Sequence, residues 1–227
     1  MSYEEVKIFK GLKNVYVAES RICLIDHEKG KIYYYGYDLD ELAVKSSFEE
    51  VLYLLLYGKL PNRNEYREFI DSIKGSMDLP LKLRSFISEL PRDIEVMEAI
   101  RTVVSYLGNL RGDGLDLSRE SIIDYAVDLI AKMPAIISYI YRARYGYSLL
   151  KPRDDLSLAG NLLYLITGNE YSDVDINGLD MSLILYAEHG MNASTFASIV
   201  IALTGSDYYS SIVGGIAALR GPLHGYA

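Results

Sequence analysis

The sequence predicts a mainly α-helical protein with one small β-hairpin near its N-terminal end. Three observations carry this reading. Apolar residues recur at three- and four-residue spacing in one run after another between residues 46 and 221. Ser, Asp or Asn stands before most of these runs and Gly after them, the order in which helices are capped. Only residues 15–38 combine β-branched and aromatic side chains around a short polar turn.

The hairpin comes first. "VYVAESRICLID" and "KIYYYGYDL" flank "HEKG", and Gly30 closes the turn. "SSFEEVLYLLLYGKLP" follows as a capped helix: Ser47 and Glu50 have capping-box spacing, Gly58 suits the C-terminal cap, and Pro61 blocks continuation. "NRNEYREFIDSI" and "LPLKLRSFISEL" are shorter helices. "RDIEVMEAIRTVVSYLGNL" has Asp93 as its expected cap and Gly108 as its expected stop, with Ile94, Met97, Ile100, Val104 and Leu107 on one face. "SRESIIDYAVDLIAKMPAIISYIYRARYG" is apolar on several sides, and Pro134 is expected to kink or divide it. "DDLSLAGNLLYLITG" is capped and ends at Gly168. Three helices close the chain: one stopped by Gly190, one from Asn192 to Gly205, and one from Ser206 to Gly221. Helices apolar on several sides imply a layered helical core or a helical dimer interface.

The 227 residues are 50% hydrophobic, enough for one large domain or two small ones. The net charge of −8 argues against a nucleic-acid partner, which would need a basic face. Cys23 is the only cysteine, so no internal disulfide forms, and a cytoplasmic location is the default expectation. "MSYEEVKIFKG" lacks the apolar core of a signal peptide. The apolar stretch from 197 to 219 is interrupted by Ser206 and Asp207, so it reads as two buried helices and no membrane partner is expected.

Chemistry-bearing motifs are few. The chain has no phosphate-binding glycine loop, no G-x-S-x-G elbow and too few His and Cys for a zinc site. "RGDGLD" begins like a calcium loop but lacks the downstream ligands. The histidines are His27, His189 and His224. His27 falls in the hairpin turn and reads as solvated surface. His189 ends a helix, where it can interact with the last carbonyls. His224 lies in "GPLHG", which is turn chemistry whatever its neighbours do. A second reading fits both. They flank one helix pair, and if that pair is antiparallel both imidazoles emerge at one end, where they could hold a small anionic or carbonyl substrate.

The residues then carry a resemblance. "AESRICLIDHEKGKIYYYGYDLDELAVKSSFEEVLYLLLYGKLP" is similar to the N-terminal segment of prokaryotic citrate synthases. "AIRTVVSYLG", "AKMPAIISYIYRARYG" and "NLLYLITG" resemble successive later segments, and "EHGMNASTFASIVIALTGSDYYSSIVGGIAALRGPLHG" resembles the substrate-binding stretch and its signature turn. The match is collinear over nearly the whole chain.

The resemblance implies a multi-helical fold with a large and a small domain, an obligate homodimer, and condensation of oxaloacetate with acetyl-CoA followed by hydrolysis of citryl-CoA. Residues 1–227 would be an incomplete large domain, with the small domain absent. Acetyl-CoA would be a co-substrate, and no cofactor would be held permanently. His224 corresponds to the histidine that hydrogen-bonds the thioester carbonyl, and His189 to one that binds oxaloacetate; the CoA-binding residues have no counterpart. The family's third histidine, its proton-abstracting aspartate and its carboxylate-binding arginines belong to sequence after residue 227, so the chain is expected to need a C-terminal complement. Three positions depart from the family pattern: Gly190 where many relatives carry Glu, Ile199 where Arg is frequent, and Tyr226 where Gly is usual. A 2-methylcitrate synthase portion and a non-catalytic dimeric remnant are the alternatives. The expected dimer interface uses helices around 93–110, 119–145, 179–189 and 192–204.

Overall fold

The computed structural model describes residues 17–112 and 116–225. Among these, a three-stranded antiparallel sheet leads into ten helices. Strands β1 (Cys23–Asp26), β2 (Lys31–Tyr34) and β3 (Tyr37–Asp38) pair in chain order. Cys23 faces Tyr34 across β1 and β2, and Asp26 faces Lys31 at the turn. The Asp26 carboxylate accepts the Glu28 and Lys29 amides and closes that turn.

The expected hairpin is therefore longer by one strand. Tyr35 and Gly36 both adopt positive φ and reverse the chain once more, so Tyr34 pairs with Tyr37. Asp38 then caps α1 (Leu39–Lys45), so the helical part begins before residue 46. The segment reads as strand because tyrosines crowd it. The short helix is favoured by its Asp38 cap, by Asp40 and Glu41 in the first turn and by burial of Leu39, Leu42 and Ala43.

The remaining helices are α2 (Phe48–Tyr57), α3 (Arg63–Ser76), α4 (Leu81–Glu89), α5 (Val96–Arg111), α6 (Arg119–Tyr145), α7 (Leu158–Thr167), α8 (Asp173–Leu185), α9 (Ala193–Leu203) and α10 (Tyr208–Leu219). The Ser47–Glu50 capping box forms as the spacing predicts, and Gly58 and Gly168 close α2 and α7 in the left-handed region. Asn192 caps α9.

Five features of the helices differ from the sequence reading. Asp93 sits in a turn in which the Ile94 amide reaches the Pro91 carbonyl, and Glu95 is the cap of α5. Gly108 does not stop α5, which runs on to Arg111. A Cβ at Gly108 would stand 2.6 Å from Tyr209 Cβ, so that glycine serves the close approach of α10. Pro134 does not divide α6, which is one helix of 27 residues. Proline costs one backbone bond there, and burial on several faces of α6 outweighs it. The helix expected to stop at Gly190 ends at Leu185, and Asp207, not Ser206, caps α10.

Three apolar clusters hold these elements together. The largest joins α4, α5, α6 and α10 with Leu165 of α7. A second joins α2, α3, α6 and α7. The third joins β2, α1 and α2 to Ile184 near the end of α8. It fixes the sheet against the segment that leads to His189. No helix among the described residues is long and apolar enough to cross a membrane.

Candidate functional site

The site is built on α9 and α10, which a short turn joins. Helices packed this closely need small residues at the crossing. A Cβ at Gly214 would meet Ile201 Cδ1 at 2.1 Å, and one at Gly215 would meet Ser198 Oγ at 2.3 Å and the Ser194 carbonyl at 3.3 Å. Later residues of α10 therefore lie against earlier residues of α9, and the pair is antiparallel. The chain leaves α10 beside the N-terminus of α9. There Arg220 pairs with Glu98 at 2.5 Å and tethers that end to the first turn of α5.

The terminal turn then folds back. The His224 amide donates to the Gly221 carbonyl at 2.9 Å, and the Gly225 amide to the Leu219 carbonyl at 3.1 Å. A Cβ on Gly225 would stand 2.6 Å from that same carbonyl, so only glycine allows the closure. His224 is half-buried and its Nε2 accepts the Ser194 amide at 3.2 Å. An amide can only donate, so Nε2 presents its lone pair and the ring proton is on Nδ1. The Ser194 hydroxyl, 3.1 Å from Nε2, has its own acceptor in Asn192 Oδ1 at 2.7 Å. Asn192 Oδ1 in turn accepts the Thr195 amide. One helix N-terminus thereby fixes the tautomer of His224, leaving Nδ1–H as the donor of the ring.

His189 precedes the Asn192 cap by three residues, so it arrives at the same end of α9. It is exposed, with the Tyr186 ring edge-on at 5.8 Å. Because α8 ends at Leu185, His189 sits in a loop four residues beyond the helix, not on its last turn. The residues either side of it are held. Glu188 bonds Tyr34 through its backbone, and its carboxylate accepts the Gly190 amide at 2.6 Å. Gly190 adopts φ +79°, where a side chain is strained, which accounts for glycine at that position. His224 is thus bonded to the first turn of α9, and the loop with His189 leads into the cap of the same helix. His27 lies exposed in the β1–β2 turn, as read from the sequence. Ile199 is half-buried along α9, and Tyr226 lies outside the described residues.

Sequence reasoning missed Ser194, Tyr34 and Glu188. Ser194 carries a signal, for it is one of the first residues of a capped helix, where amides lack partners. Tyr34 carries none.

Two sizeable depressions are lined by neither His189 nor His224. One of 370 Å³ is lined by Glu49, Tyr66, Lys74 and Asp180, and an open groove of 1050 Å³ runs between Tyr57, Phe69 and Arg119. In the first, burial and then the neighbouring Glu49 push the Asp180 carboxyl up to about 6. Among the described residues no group of His, Cys, Asp and Glu side chains is placed to hold a metal ion.

Comparison with known proteins decides the family. Residues 11–227 match the family described as citrate synthase, C-terminal domain. This chain belongs to the citrate synthase family. It is 41% identical over 220 residues to a citrate synthase of Deinococcus radiodurans, covering 97% of this chain and 58% of that protein. It is 38% identical over 232 residues to 2-methylcitrate synthase 1 of Corynebacterium glutamicum, covering all of this chain and 60% of that one. Its fold matches the citrate synthase of the archaeon Thermoplasma acidophilum, solved in complex with carboxymethyl coenzyme A and oxaloacetate, with a TM-score of 0.90 at 31% identity. That match covers 96% of this chain and 57% of that one. The chain thus spans about three fifths of the length of its citrate synthase relatives.

Proposed function

We propose that this chain supplies the histidine-bearing part of a citrate synthase-type condensation site, in which oxaloacetate and acetyl-CoA form citryl-CoA and water then releases citrate and CoA. One observation supports the reading: His224 is fixed as a donor by the Ser194 amide at the N-terminus of α9, the helix into which the His189 loop leads. In this reading the Nδ1–H of His224 donates to the thioester carbonyl oxygen. Removing a proton from the acetyl methyl puts negative charge on that oxygen, and a preoriented donor stabilises the enolate more than the ester. A neutral imidazole suits the task, for its one N–H donates to the forming enolate oxygen. His189 binds oxaloacetate, the electrophile that the enolate attacks.

The carboxylate that takes the methyl proton is, by the resemblance, one this chain does not carry. Glu188, the carboxylate next to His189, accepts the Gly190 amide and is already engaged. The reaction therefore needs a general base from further sequence, on this polypeptide or another. Acetyl-CoA is a co-substrate, and no cofactor is required. The protein is read as a cytoplasmic homodimer. Its support is the lone cysteine and the apolar side chains left at the surface along the expected interface, Val96, Tyr141, Leu185, Val200 and Leu203 among them.

Calorimetric titration with oxaloacetate tests the binding half. The wild-type chain binds and His189→Ala does not; absence of binding by the wild type overturns the reading. CoA release from acetyl-CoA and oxaloacetate, measured after adding a C-terminal portion of a relative, tests the reaction, and His224→Ala abolishes it. The same assay with propionyl-CoA separates citrate from 2-methylcitrate synthesis, because the two named relatives are of similar identity.

A further inference from the structure

We infer that the N-terminal sheet is a clamp for the loop carrying His189, with Tyr34 as the positioning residue for that histidine. The inference rests on the reading of His189 as a substrate ligand. Tyr34 is fully buried, and its hydroxyl is tied to backbone more than 150 positions along the chain. It donates to the Glu188 carbonyl at 2.9 Å, accepts the Glu188 amide at 3.2 Å, and lies 3.3 Å from the Ile184 carbonyl at the end of α8. One phenol thus satisfies both backbone groups of the residue before His189. Such bonds are costly to lose in a buried site.

Cys23 stands beside the clamp and can report on it. It is the direct cross-strand partner of Tyr34, so both side chains leave the same face of the sheet. Burial, and then the Glu188 carboxylate as hydrogen-bond acceptor and negative charge, push its thiol up to about 12. That carboxylate also accepts the amide of Gly190. His189 therefore sits between two residues whose positions are set by one phenol and one carboxylate. The exposed imidazole gains a fixed base without being buried itself.

Cys23 is the only cysteine, so its alkylation reports on the clamp alone. A thiol held protonated reacts slowly. The experiment measures iodoacetamide alkylation by intact mass, and oxaloacetate affinity by calorimetry, for the wild type and Tyr34→Phe. Phenylalanine keeps the ring and removes only the hydroxyl. The clamp predicts alkylation at least ten-fold faster and oxaloacetate binding roughly ten-fold weaker in the variant, with the helical circular dichroism spectrum unchanged. It also predicts that saturating oxaloacetate slows alkylation of the wild type but not of the variant, an effect that a purely structural role of Tyr34 would not produce. Unchanged alkylation and affinity in a folded variant overturn the inference. Hydrogen exchange of the wild type needs no variant: protected amides at Glu188 and Gly190 support the clamp, and exchange there at open-loop rates overturns it. If the wild type binds no oxaloacetate, the proposed function fails, while alkylation and exchange still decide whether the clamp exists.

Discussion

His224 shows how little of a side chain's chemistry resides in the side chain itself. Its imidazole is an ordinary side chain made specific by one backbone amide, Ser194, and by a glycine that lets the turn close. Gly225→Ala places a Cβ 2.6 Å from the Leu219 carbonyl, so the turn must open. The expected outcome is loss of the Nε2 acceptor signature of His224 in a long-range ¹H–¹⁵N spectrum, while the circular dichroism of the helices stays as it was. Asp180 makes a different prediction. Its carboxyl is raised in the folded protein, chiefly by burial and then by Glu49, while its bond from the Phe48 amide opposes the rise. A raised acid binds more protons folded than unfolded between 3.8 and about 6, so its contribution to stability falls as pH rises through that window. Asp180→Asn keeps an oxygen for the Phe48 amide and removes the charge. After discounting for partial solvent exposure, the gain at pH 7 is about 1 kcal/mol, and it disappears below pH ~4. Denaturant melts at the two pH values check it.

At the scale of elements, packing explains most of what local pattern cannot. The Ser47–Glu50 box, the Gly58 and Gly168 caps and the Asn192 cap were legible because each needs only a few neighbouring residues. Gly108 misleads for a physical reason. A glycine near a helix end resembles a stop, and only the Tyr209 ring packed over it reveals a contact residue. Pro134 misleads in the opposite direction, since burial on several faces of α6 carries the helix through it. The two histidines were legible as candidates, and the antiparallel pairing of α9 and α10 that the sequence reading required is present. The Tyr34–Glu188 link was not legible at all, because 154 positions of separation leave no local trace. The packing account predicts that Gly108→Ala forces α5 and α10 apart at a buried ring. It should destabilise by about 1–3 kcal/mol, the usual cost of overpacking, against a gain of under 1 kcal/mol from helix propensity alone. Urea denaturation decides between a net loss and a net gain.

Across the whole molecule, α6 is the shared wall between two apolar clusters, and the sheet with α1 and α2 forms a third around Ile184. Apolar α9 is the exception. None of its side chains is fully buried, and Leu203 is 82% exposed. Surface of this kind is normally covered by a partner. The homodimer proposal predicts twice the chain mass by light scattering, and a monomer at micromolar concentration contradicts it. The organisation also assigns tasks to parts: the helix pair orients His224, the core clusters hold the pair, and the sheet holds the loop that carries His189. The central claim is that His189 and His224 share one rim that receives oxaloacetate. The most direct test is a long-range ¹H–¹⁵N spectrum of the three histidines during an oxaloacetate titration, with His27 as the built-in control. The account predicts that the His189 and His224 ring signals move together and saturate while His27 stays still; a titration in which neither moves, or in which His27 moves with them, contradicts it.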